Sequence, residues 1–425
     1  MAATTLGEPR DGSRNLVAIV GWAVLVAAAI WWGRAAIVGR HLGVDAAPLV
    51  GRWAWHAGPG LVVPGSVAAL VVTVGPTVAE RARWSAVLVA SAVSSSAWTL
   101  SLAASDGWSR VTAPLSTRHE YEPYAEQLDG AGDFLRHFVQ RLPGSPVHVQ
   151  GHPPGATLVP WALDAIGLGG AGWFAALVIL GWAVAVASVL VAARELAGEA
   201  AARRAAPALV LLPAAVWAGT SADALFAGVL AVGVAIACSA RVRTAVVGGA
   251  VLGVGLLLTY GGVVMLLVPG VVQLRRRGWA AVLAIVAGVA GVLTVVGLTT
   301  GFSWFEGLEA TRRAYDAGIA SRRPSGYFTI AGNPGALALA AGPATLVGIA
   351  AVVRRWRDVT SVLPVAGLLA VLVADLSLMS KGEVERIWLP FVPWLALAAP
   401  GHRRGWLAVQ ALLALVLQAW LQSRW

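Results

Sequence analysis

Charged residues and cysteine are scarce in this sequence of 425 residues. Only 12% of the residues are charged, against about 25% in ordinary soluble domains, and 58% are hydrophobic. Long apolar runs follow one another along the whole chain, which excludes a soluble globular protein and predicts a polytopic membrane protein. The single cysteine, Cys238, lies inside an apolar run, so disulfides and cysteine-based metal sites are also excluded.

Lysine is nearly absent too. The 31 basic residues include one lysine, Lys381, and the net charge is +10. The arginines occur in short clusters between apolar runs, as the positive-inside rule predicts, and not in the aromatic-basic pattern of a nucleic-acid groove, so we expect no nucleic-acid partner. The first apolar run is too long for a signal peptide and lacks a small-residue cleavage pattern, which indicates a retained anchor. The abundance of Ala, Val, Gly and Arg indicates a bacterial chain.

The apolar runs predict an all-α polytopic fold with about 11–13 membrane helices in a single integral membrane domain, residues 1–425. The predicted spans include 207–220, 261–274, 330–353 and 387–399. Arginine clusters alternate along the chain with segments that mix carboxylates, His, Tyr and Arg, and the positive-inside rule puts the mixed segments outside the cytoplasmic (inner) membrane. These segments are a first large outer loop (105–152), a second outer loop (300–328) and a third polar loop (380–388). Residues 153–168 are too short for a full span and predict a juxtamembrane or re-entrant helix.

The longest clearly polar segment, residues 119–158, carries two motifs. Glu120 and Glu122 occur in His-Glu-Tyr-Glu-Pro-Tyr, where a carboxylate near an apolar site suits a general base that takes a proton from a hydroxyl. The alternative is a solvated loop with ordinary surface carboxylates. His152 opens His-Pro-Pro-Gly directly before an apolar run, and the first amides of the following helix, together with His152, favour a phosphate oxygen. The alternative is a helix-entry turn in which the histidine only caps.

Asp223 lies where one apolar run meets the next, in Thr-Ser-Ala-Asp-Ala-Leu-Phe. It is either a second carboxylate facing Glu120 or the N-cap of the helix that follows, and the two roles are compatible. We expect Glu120 or Glu122, His152, Asp223 and Lys381 to converge on one cavity.

Two further outer segments carry candidate ligands for an anionic group. The third polar loop holds charges of both signs between two apolar runs, which indicates a paired network or a phosphate and sugar site, with a solvated turn as the alternative. The second outer loop holds arginines that the positive-inside rule disfavours there, which indicates an anionic ligand or lipid headgroups. The charged candidates are Lys381, Glu383, Glu385 and Arg386 in the third loop, and Arg312, Arg313, Arg322 and Arg323 in the second. The remaining candidates at the outer ends are Tyr121, His148, Tyr260 and Tyr327.

At these motifs the sequence resembles the GT-C superfamily of integral membrane glycosyltransferases, in its protein mannosyltransferase, lipid A aminoarabinose transferase and Rgt-like branch. The acidic-aromatic patch at 120–124, the His-Pro-Pro motif at 152–154 and Asp223 carry the resemblance, which covers about residues 105–270. It departs from the family pattern in three ways: two extra spans come before the loop, Glu stands where Asp is usual, and Gly155 replaces an apolar residue.

The resemblance implies a GT-C fold, an active site on the extracytoplasmic side and a polyprenyl-phosphate sugar donor. It also implies that Glu120 or Glu122 is the base, that His152 contacts the lipid phosphate, and that Asp223 helps to organise the acceptor or a metal. We prefer Glu120, because Pro123 biases Glu122 towards an extended backbone. If a divalent cation such as Mg²⁺ or Mn²⁺ takes part, Glu120 and Asp223 are its candidate ligands; no other cofactor is expected. The phosphate-binding candidates are His152, Arg312, Arg313, Arg322, Arg323, Lys381 and Arg386.

The sequence therefore predicts a membrane glycosyltransferase that moves a sugar to a glycan, lipid or protein acceptor of the cell envelope. The alternative is a transporter or flippase of lipid-linked or anionic envelope intermediates. A transporter typically carries polar residues near the bilayer midplane, on broken helices of repeated halves. Here the polar segments gather at one predicted face, and the sequence has no clear internal repeat. A non-catalytic scaffold would not need the carboxylate and His-Pro-Pro motifs.

Overall fold

The computed structural model describes residues 12–239 and 241–425, and this part of the chain is almost entirely helical. Its only strands are Arg52–Trp53 and Leu421–Gln422, which pair antiparallel with Arg52 opposite Gln422. Backbone groups inside a lipid bilayer must be hydrogen-bonded within the protein, and helices satisfy that requirement segment by segment. The predicted all-α architecture is therefore confirmed for the described residues.

Six helices of the described chain are long and apolar enough to cross a membrane. In three of them about four-fifths of the most apolar stretch lies outside the protein interior, as expected for surfaces that face lipid. The protein is thus a multi-pass membrane protein. The six helices are Asn15–Ala36, Pro59–Arg81, Trp84–Ala103, Ala171–Ala197, Trp279–Thr300 and Val359–Leu376.

The number of long apolar helices is smaller than the 11–13 membrane helices that the sequence predicts. The apolar run at 330–353 is not one straight helix: Ser325–Ala341 and Pro343–Arg354 meet at an angle of 106°, at Gly342 with φ +77°. If this bent pair is one span, the described chain has up to seven. The shorter apolar helices are Asp223–Ala237, Val242–Leu256 and Arg404–Trp420.

Three other predicted spans are broken into short pieces. The run at 207–220 becomes the end of Glu199–Val210 and the single turn Ala215–Ala218, and the run at 387–399 becomes Val384–Ile387 and Val392–Ala396. The run at 261–274 becomes the 3-10 helix Tyr260–Leu266 and the helix Leu267–Arg277. Hydropathy cannot distinguish a lipid-facing span from an apolar segment packed against protein, and broken backbone is tolerated where protein surrounds it.

The predicted large loop at 105–152 consists of short helices, and one longer helix follows it. In this region the structure has Ser109–Thr112, Ala113–Ser116, Tyr121–Ala125, Ala131–Arg136, Phe138–Arg141, Leu142–Gly144, Val147–Gly151 and Gly155–Ala165. The region at 300–328 contains Trp304–Ala317, Ile319–Arg322 and Ser325–Tyr327, and the π-helical turn Phe328–Gly332 and the helix Asn333–Ala341 continue from it.

Close packing of small residues fixes the helix that carries Asp223. A side chain at Gly181, in Ala171–Ala197, would lie 2.5 Å from the Cα of Leu225, so only glycine permits this approach. Small residues let neighbouring helices of membrane proteins come close together, where van der Waals contact stabilises the pair. Asp223 is the first residue of its helix, and this contact therefore determines where its carboxylate lies.

Candidate functional site

Four segments that are far apart in the sequence meet in one buried ion network. Glu120 precedes the helix Tyr121–Ala125, His148 lies on Val147–Gly151, Asp223 begins Asp223–Ala237, and Arg386 lies on Val384–Ile387. We call Glu120, Tyr121, His148, His152, Asp223, Glu383 and Arg386 the Arg386 network.

The guanidinium of Arg386 is the centre of the network, and the residue is only 5% exposed. Its Nη1 donates to Asp223 Oδ2 at 2.8 Å, and its Nη2 donates to Glu383 Oε2 at 2.6 Å and to His148 Nε2 at 3.3 Å. The ring of Trp425 covers the guanidinium, with its centroid 4.2 Å from Cζ. Its Nε has no hydrogen-bond partner among the described residues.

Glu120 and His148 form a buried carboxylate–imidazole pair. His148 Nδ1 is 2.7 Å from Glu120 Oε1, and the two side chains are only 7–11% exposed. The contact to Glu120 requires the proton of the neutral imidazole on Nδ1, so that Nε2 accepts from Arg386. The pair is chemically suited to proton transfer, because a carboxylate oriented by an imidazole can accept a proton from a nearby hydroxyl.

His152 lies on the other side of Asp223. Its Nδ1 is 3.0 Å from the backbone carbonyl of His148 and 2.8 Å from the hydroxyl of Tyr121, and its Nε2 is 3.9 Å from Asp223 Oδ1. Ser221 donates its hydroxyl to Asp223 Oδ2 at 2.7 Å. The His-Pro-Pro-Gly motif thus enters the network through its histidine, at the start of the helix that follows.

Gly155, the departure from the GT-C pattern, has a packing explanation. A side chain at this position would lie 2.3 Å from the backbone carbonyl of Leu257, which is too close for any residue other than glycine. The helix Gly155–Ala165 therefore rests directly on the backbone of a neighbouring segment. This contact fixes the helix start and with it the position of His152.

Burial and charge act against each other in the network. Burial alone would raise the pKa of Asp223, but Arg386, His152 and Ser221 together hold that pKa well below its usual range. Burial likewise opposes ionisation of Glu383, but two arginines hold its pKa at about 2. Burial and the charges of Asp223 and Glu120 raise the pKa of Tyr121 well above its usual value. At neutral pH both carboxylates are ionised and the phenol keeps its proton.

A second buried arginine, Arg323, binds the other oxygen of Glu383. Its Nη2 is 3.3 Å from Glu383 Oε1, while its Nε donates to the carbonyl of Leu42 at 2.9 Å and its Nη1 to the carbonyl of Lys381 at 2.6 Å. The Lys381 ammonium donates to the carbonyl of Ser321 at 2.5 Å. Lys381 therefore meets the Arg386 network only indirectly, through its main chain and Arg323.

Two of the predicted carboxylates have other surroundings. Glu122 follows Tyr121 on its helix, and burial and the charge of Glu126 raise its pKa. Glu385 is fully buried, and its Oε1 accepts the N–H of Val50 at 2.8 Å. Burial raises the pKa of Glu385 to about 7.

The remaining predicted residues contact other parts of the protein. Arg312, Arg313 and Arg322 are exposed, and Arg313 pairs with Glu309 one helical turn away. Tyr260 packs edge-on against Trp304, with ring centroids 5.4 Å apart.

Tyr327 anchors its segment to the first membrane helix. Its hydroxyl donates to the carbonyl of Ala29 at 2.9 Å, and its ring packs on Trp32. The structure brings together Glu120, Tyr121, His148, His152, Asp223, Glu383 and Arg386, joins Arg323 to them through Glu383, and places the other predicted residues outside this network.

Trp425 and Ser221 also take part in this site, although neither is predicted from the sequence. Trp425 contacts both Arg386 and His148, with ring centroids 5.7 Å apart in the second case. The sequence contains 20 tryptophans, so the residue type alone carries no signal. Ser221 lies two residues before Asp223, and this spacing is the local signal that could have identified it.

The carboxylates of the network are not arranged for a divalent cation. Within the described residues, no group of three or more His, Cys, Asp or Glu side chains could hold a metal ion. Glu120 faces His148 and Asp223 faces Arg386, so the two candidate metal ligands are turned towards nitrogen donors.

No protein-family model matches the sequence, and no curated protein matches it either. The function of the site must therefore follow from its own chemistry.

Proposed function

We propose that the protein is a membrane glycosyltransferase of GT-C type, which moves a sugar from a polyprenyl-phosphate donor to a cell-envelope acceptor at the outer face of the cytoplasmic membrane. The observation that carries this proposal is the buried pair of Glu120 and His148, 2.7 Å apart, next to the guanidinium of Arg386. A proton acceptor beside a phosphate-binding cation is the minimum that such a transfer needs.

In the proposed reaction Glu120 takes the proton of the acceptor hydroxyl as that oxygen bonds to the anomeric carbon. The bond between the anomeric carbon and the phosphate oxygen breaks, and polyprenyl phosphate leaves with the electron pair. Glycosyl transfer passes through a transition state with oxocarbenium character, so charge develops on the leaving phosphate. Arg386, with His152 nearby, stabilises that charge in a buried site where electrostatic interactions are strong.

The charge balance of the network supports this division of roles. Asp223 and Glu383 pair with the guanidiniums of Arg386 and Arg323, and Glu120 pairs with His148 beside them, so an incoming phosphate must displace a carboxylate from Arg386. A proton on Glu120 removes one negative charge at the stage when the phosphate gains one. Proton transfer and departure of the phosphate therefore favour each other electrostatically.

The test is turnover of a polyprenyl-phosphate sugar by the purified protein, with Glu120→Gln compared with Glu122→Gln. Glu120→Gln keeps the shape of the side chain but loses the base, and we expect turnover to fall about 10²–10⁴-fold with little change in donor binding. His152→Ala should chiefly weaken donor binding. Normal turnover by Glu120→Gln with an inactive Glu122→Gln would move the base two residues along the chain. Normal turnover by both would remove this loop from the chemistry.

One observation favours a transporter as the second candidate. The helices Ser325–Ala341 and Pro343–Arg354 form a broken pair, and the buried Asn333 donates to Asp375 Oδ1 at 2.7 Å. Broken helices with buried carboxylates are typical of transporters. A transporter would move a labelled polyprenyl-phosphate sugar across proteoliposomes without forming product, and Asp375→Asn would stop that flux. Product formation unaffected by Asp375→Asn would exclude this reading.

A further inference from the structure

A cavity of about 520 Å³ lies beside the Arg386 network, with Trp425 as one of its lining residues. Its volume is within the range of about 300–1,000 Å³ that small-molecule sites occupy. Segments from four parts of the chain form its walls, including His56, Asp106, Arg110 and Gln418. None of these four residues belongs to the network described above.

The walls offer both hydrogen-bond donors and acceptors, and their charges offset one another. His56 Nε2 is 3.3 Å from Asp106 Oδ2, and the two side chains are 18% and 31% exposed. Arg110 Nη2 reaches the carbonyl of Ser423 at 3.4 Å, and the half-buried Gln418 adds an amide. A phosphate would need concentrated positive charge, which this cavity lacks. A neutral ligand with many hydroxyl groups matches the mixed donors and acceptors.

Two residues of the cavity wall carry buried polar atoms that have no partner among the described residues. They are the hydroxyl of Thr220, which is only 5% exposed, and the indole nitrogen of Trp425. A buried donor or acceptor without a partner costs roughly as much free energy as a lost hydrogen bond, so each is a position where a ligand hydroxyl would be stabilised. Both atoms belong to residues next to the network, because Thr220 precedes Ser221 and Trp425 covers Arg386.

Trp425 is the wall shared by the cavity and the network. Residues 421–425 are held to the rest of the protein by the two-residue strand pair, by the hydrogen bond from Arg52 Nη2 to Gln422 Oε1 at 2.6 Å and by the bond from Arg110 to the carbonyl of Ser423. A shift of the indole ring would join the cavity to the guanidinium of Arg386 without breaking any membrane helix.

We propose that this cavity binds the carbohydrate moiety of the acceptor, with its hydroxyls on Asp106, Gln418 and Thr220 and its ring against Trp425. The role of this ligand as an acceptor rests on the proposed glycosyltransferase function, whereas the binding of a neutral saccharide does not. The cavity holds the hydroxylated ligand on one side of the indole ring, and the Arg386 network holds the phosphate on the other side.

The test is saccharide binding by the full chain in lipid nanodiscs, which avoids sugar-based detergents. The probes are lactose and maltose, titrated by saturation-transfer NMR, with inorganic phosphate as competitor. We expect saturable binding in the millimolar range that phosphate does not displace. Asp106→Asn and Gln418→Ala should each weaken it about 5–10-fold, the effect of one lost hydrogen bond. Gln140→Ala, which removes an exposed amide, is the matched control and should bind like the wild type.

Absence of saturable disaccharide binding, equal binding by all the variants, or displacement by phosphate would each overturn the inference. Failure of the proposed function has a different signature. Disaccharide binding that depends on Gln418, in a protein that never turns over a polyprenyl-phosphate sugar, would keep the cavity and reject the transferase. Normal turnover by Asp106→Asn and Gln418→Ala without disaccharide binding would reject the cavity alone.

Discussion

Arg323 and Arg386 are buried to the same degree, and each binds one oxygen of Glu383, yet their other partners differ. The guanidinium of Arg323 donates to two main-chain carbonyls, those of Leu42 and Lys381. The guanidinium of Arg386 binds Asp223 and His148, lies under an indole ring, and leaves its Nε without a partner among the described residues.

The partners of a buried guanidinium distinguish a structural charge from a functional one. A guanidinium that satisfies backbone carbonyls cannot leave without unpairing the main chain, so Arg323 holds segments together. The partners of Arg386 are side chains, which can rotate away when a ligand offers a better acceptor. The burial and the charge of Arg323 and Arg386 are the same, so these two properties do not distinguish the roles of the two arginines.

The largest expected effects come from lysine substitutions at the two arginines. Lysine keeps the charge but loses the planar fork of donors. Arg386→Lys should lower turnover about 10²–10³-fold, the cost of losing a positioned donor to a developing anion. Arg323→Lys should lower the melting temperature, because two carbonyls lose their donor, with turnover per folded molecule within about three-fold of wild type. Turnover and thermal unfolding of the purified variants check both.

The distinction between a structural Arg323 and a functional Arg386 would be wrong if Arg323→Lys lost as much turnover as Arg386→Lys with an unchanged melting temperature. It would also be wrong if the two variants differed only in stability. Arg386→Ala is less informative, because an unpaired buried Asp223 costs about 3–5 kcal/mol and unfolding would hide the effect on turnover.

A smaller effect is expected at Glu385, which resembles Arg323 because its partner is the N–H of Val50. Its pKa of about 7 lies above its ordinary value of 4.5, so the folded protein binds an extra proton between these pH values. The contribution of Glu385 to stability is therefore fully present below pH 4.5 and is lost as the pH rises to about 7, a change of roughly 3 kcal/mol. Glu385→Gln should remove this loss and be the more stable protein at pH 8, with turnover retained.

Melting curves of Glu385→Gln and wild type at pH 4.5, 6 and 8 measure this prediction. The advantage of the variant should grow with pH, and Asp129→Asn, which changes an exposed carboxylate, should show no such growth. Equal differences at all three pH values would contradict it. A loss of turnover in Glu385→Gln would show that a main-chain partner does not mark a structural charge.

The smallest effect is expected at Trp425. Trp425→Phe keeps an aromatic face over Arg386. It should change turnover about two- to three-fold at most, with little change in stability. Trp425→Ala removes the cation–π contact, which contributes about 1–2 kcal/mol at a desolvated site. Its turnover should fall about ten-fold, with weaker disaccharide binding. Trp420→Ala, at a partly exposed tryptophan of the same region, serves as the control. Equal effects of the two alanine variants would mean that the ring has no specific role at Arg386.

Local sequence patterns identified several members of the site but not its pairing. His152, Glu120 and Asp223 could be selected because carboxylates and histidines between apolar runs are costly and stand out. Their partners could not be deduced, since Arg386 lies 163 residues beyond Asp223 and 238 beyond His148. Five arginines and one lysine from two loops were equivalent candidates as phosphate ligands in the sequence, and only tertiary contacts distinguish Arg386 and Arg323 from the exposed Arg312, Arg313 and Arg322.

Composition by itself determined that this is a helical multi-pass membrane protein, because apolar runs of bilayer length exclude other solutions for the backbone. Which apolar runs form continuous helices is evident only from the tertiary structure. The break at Gly342 and the short pieces at 384–396 are stable because protein, rather than lipid, surrounds them. The tertiary structure also decided that Trp425, which no local pattern marks, lies over the guanidinium of Arg386. Hydropathy reports how a segment partitions from water, whereas packing between distant segments decides which side chains meet.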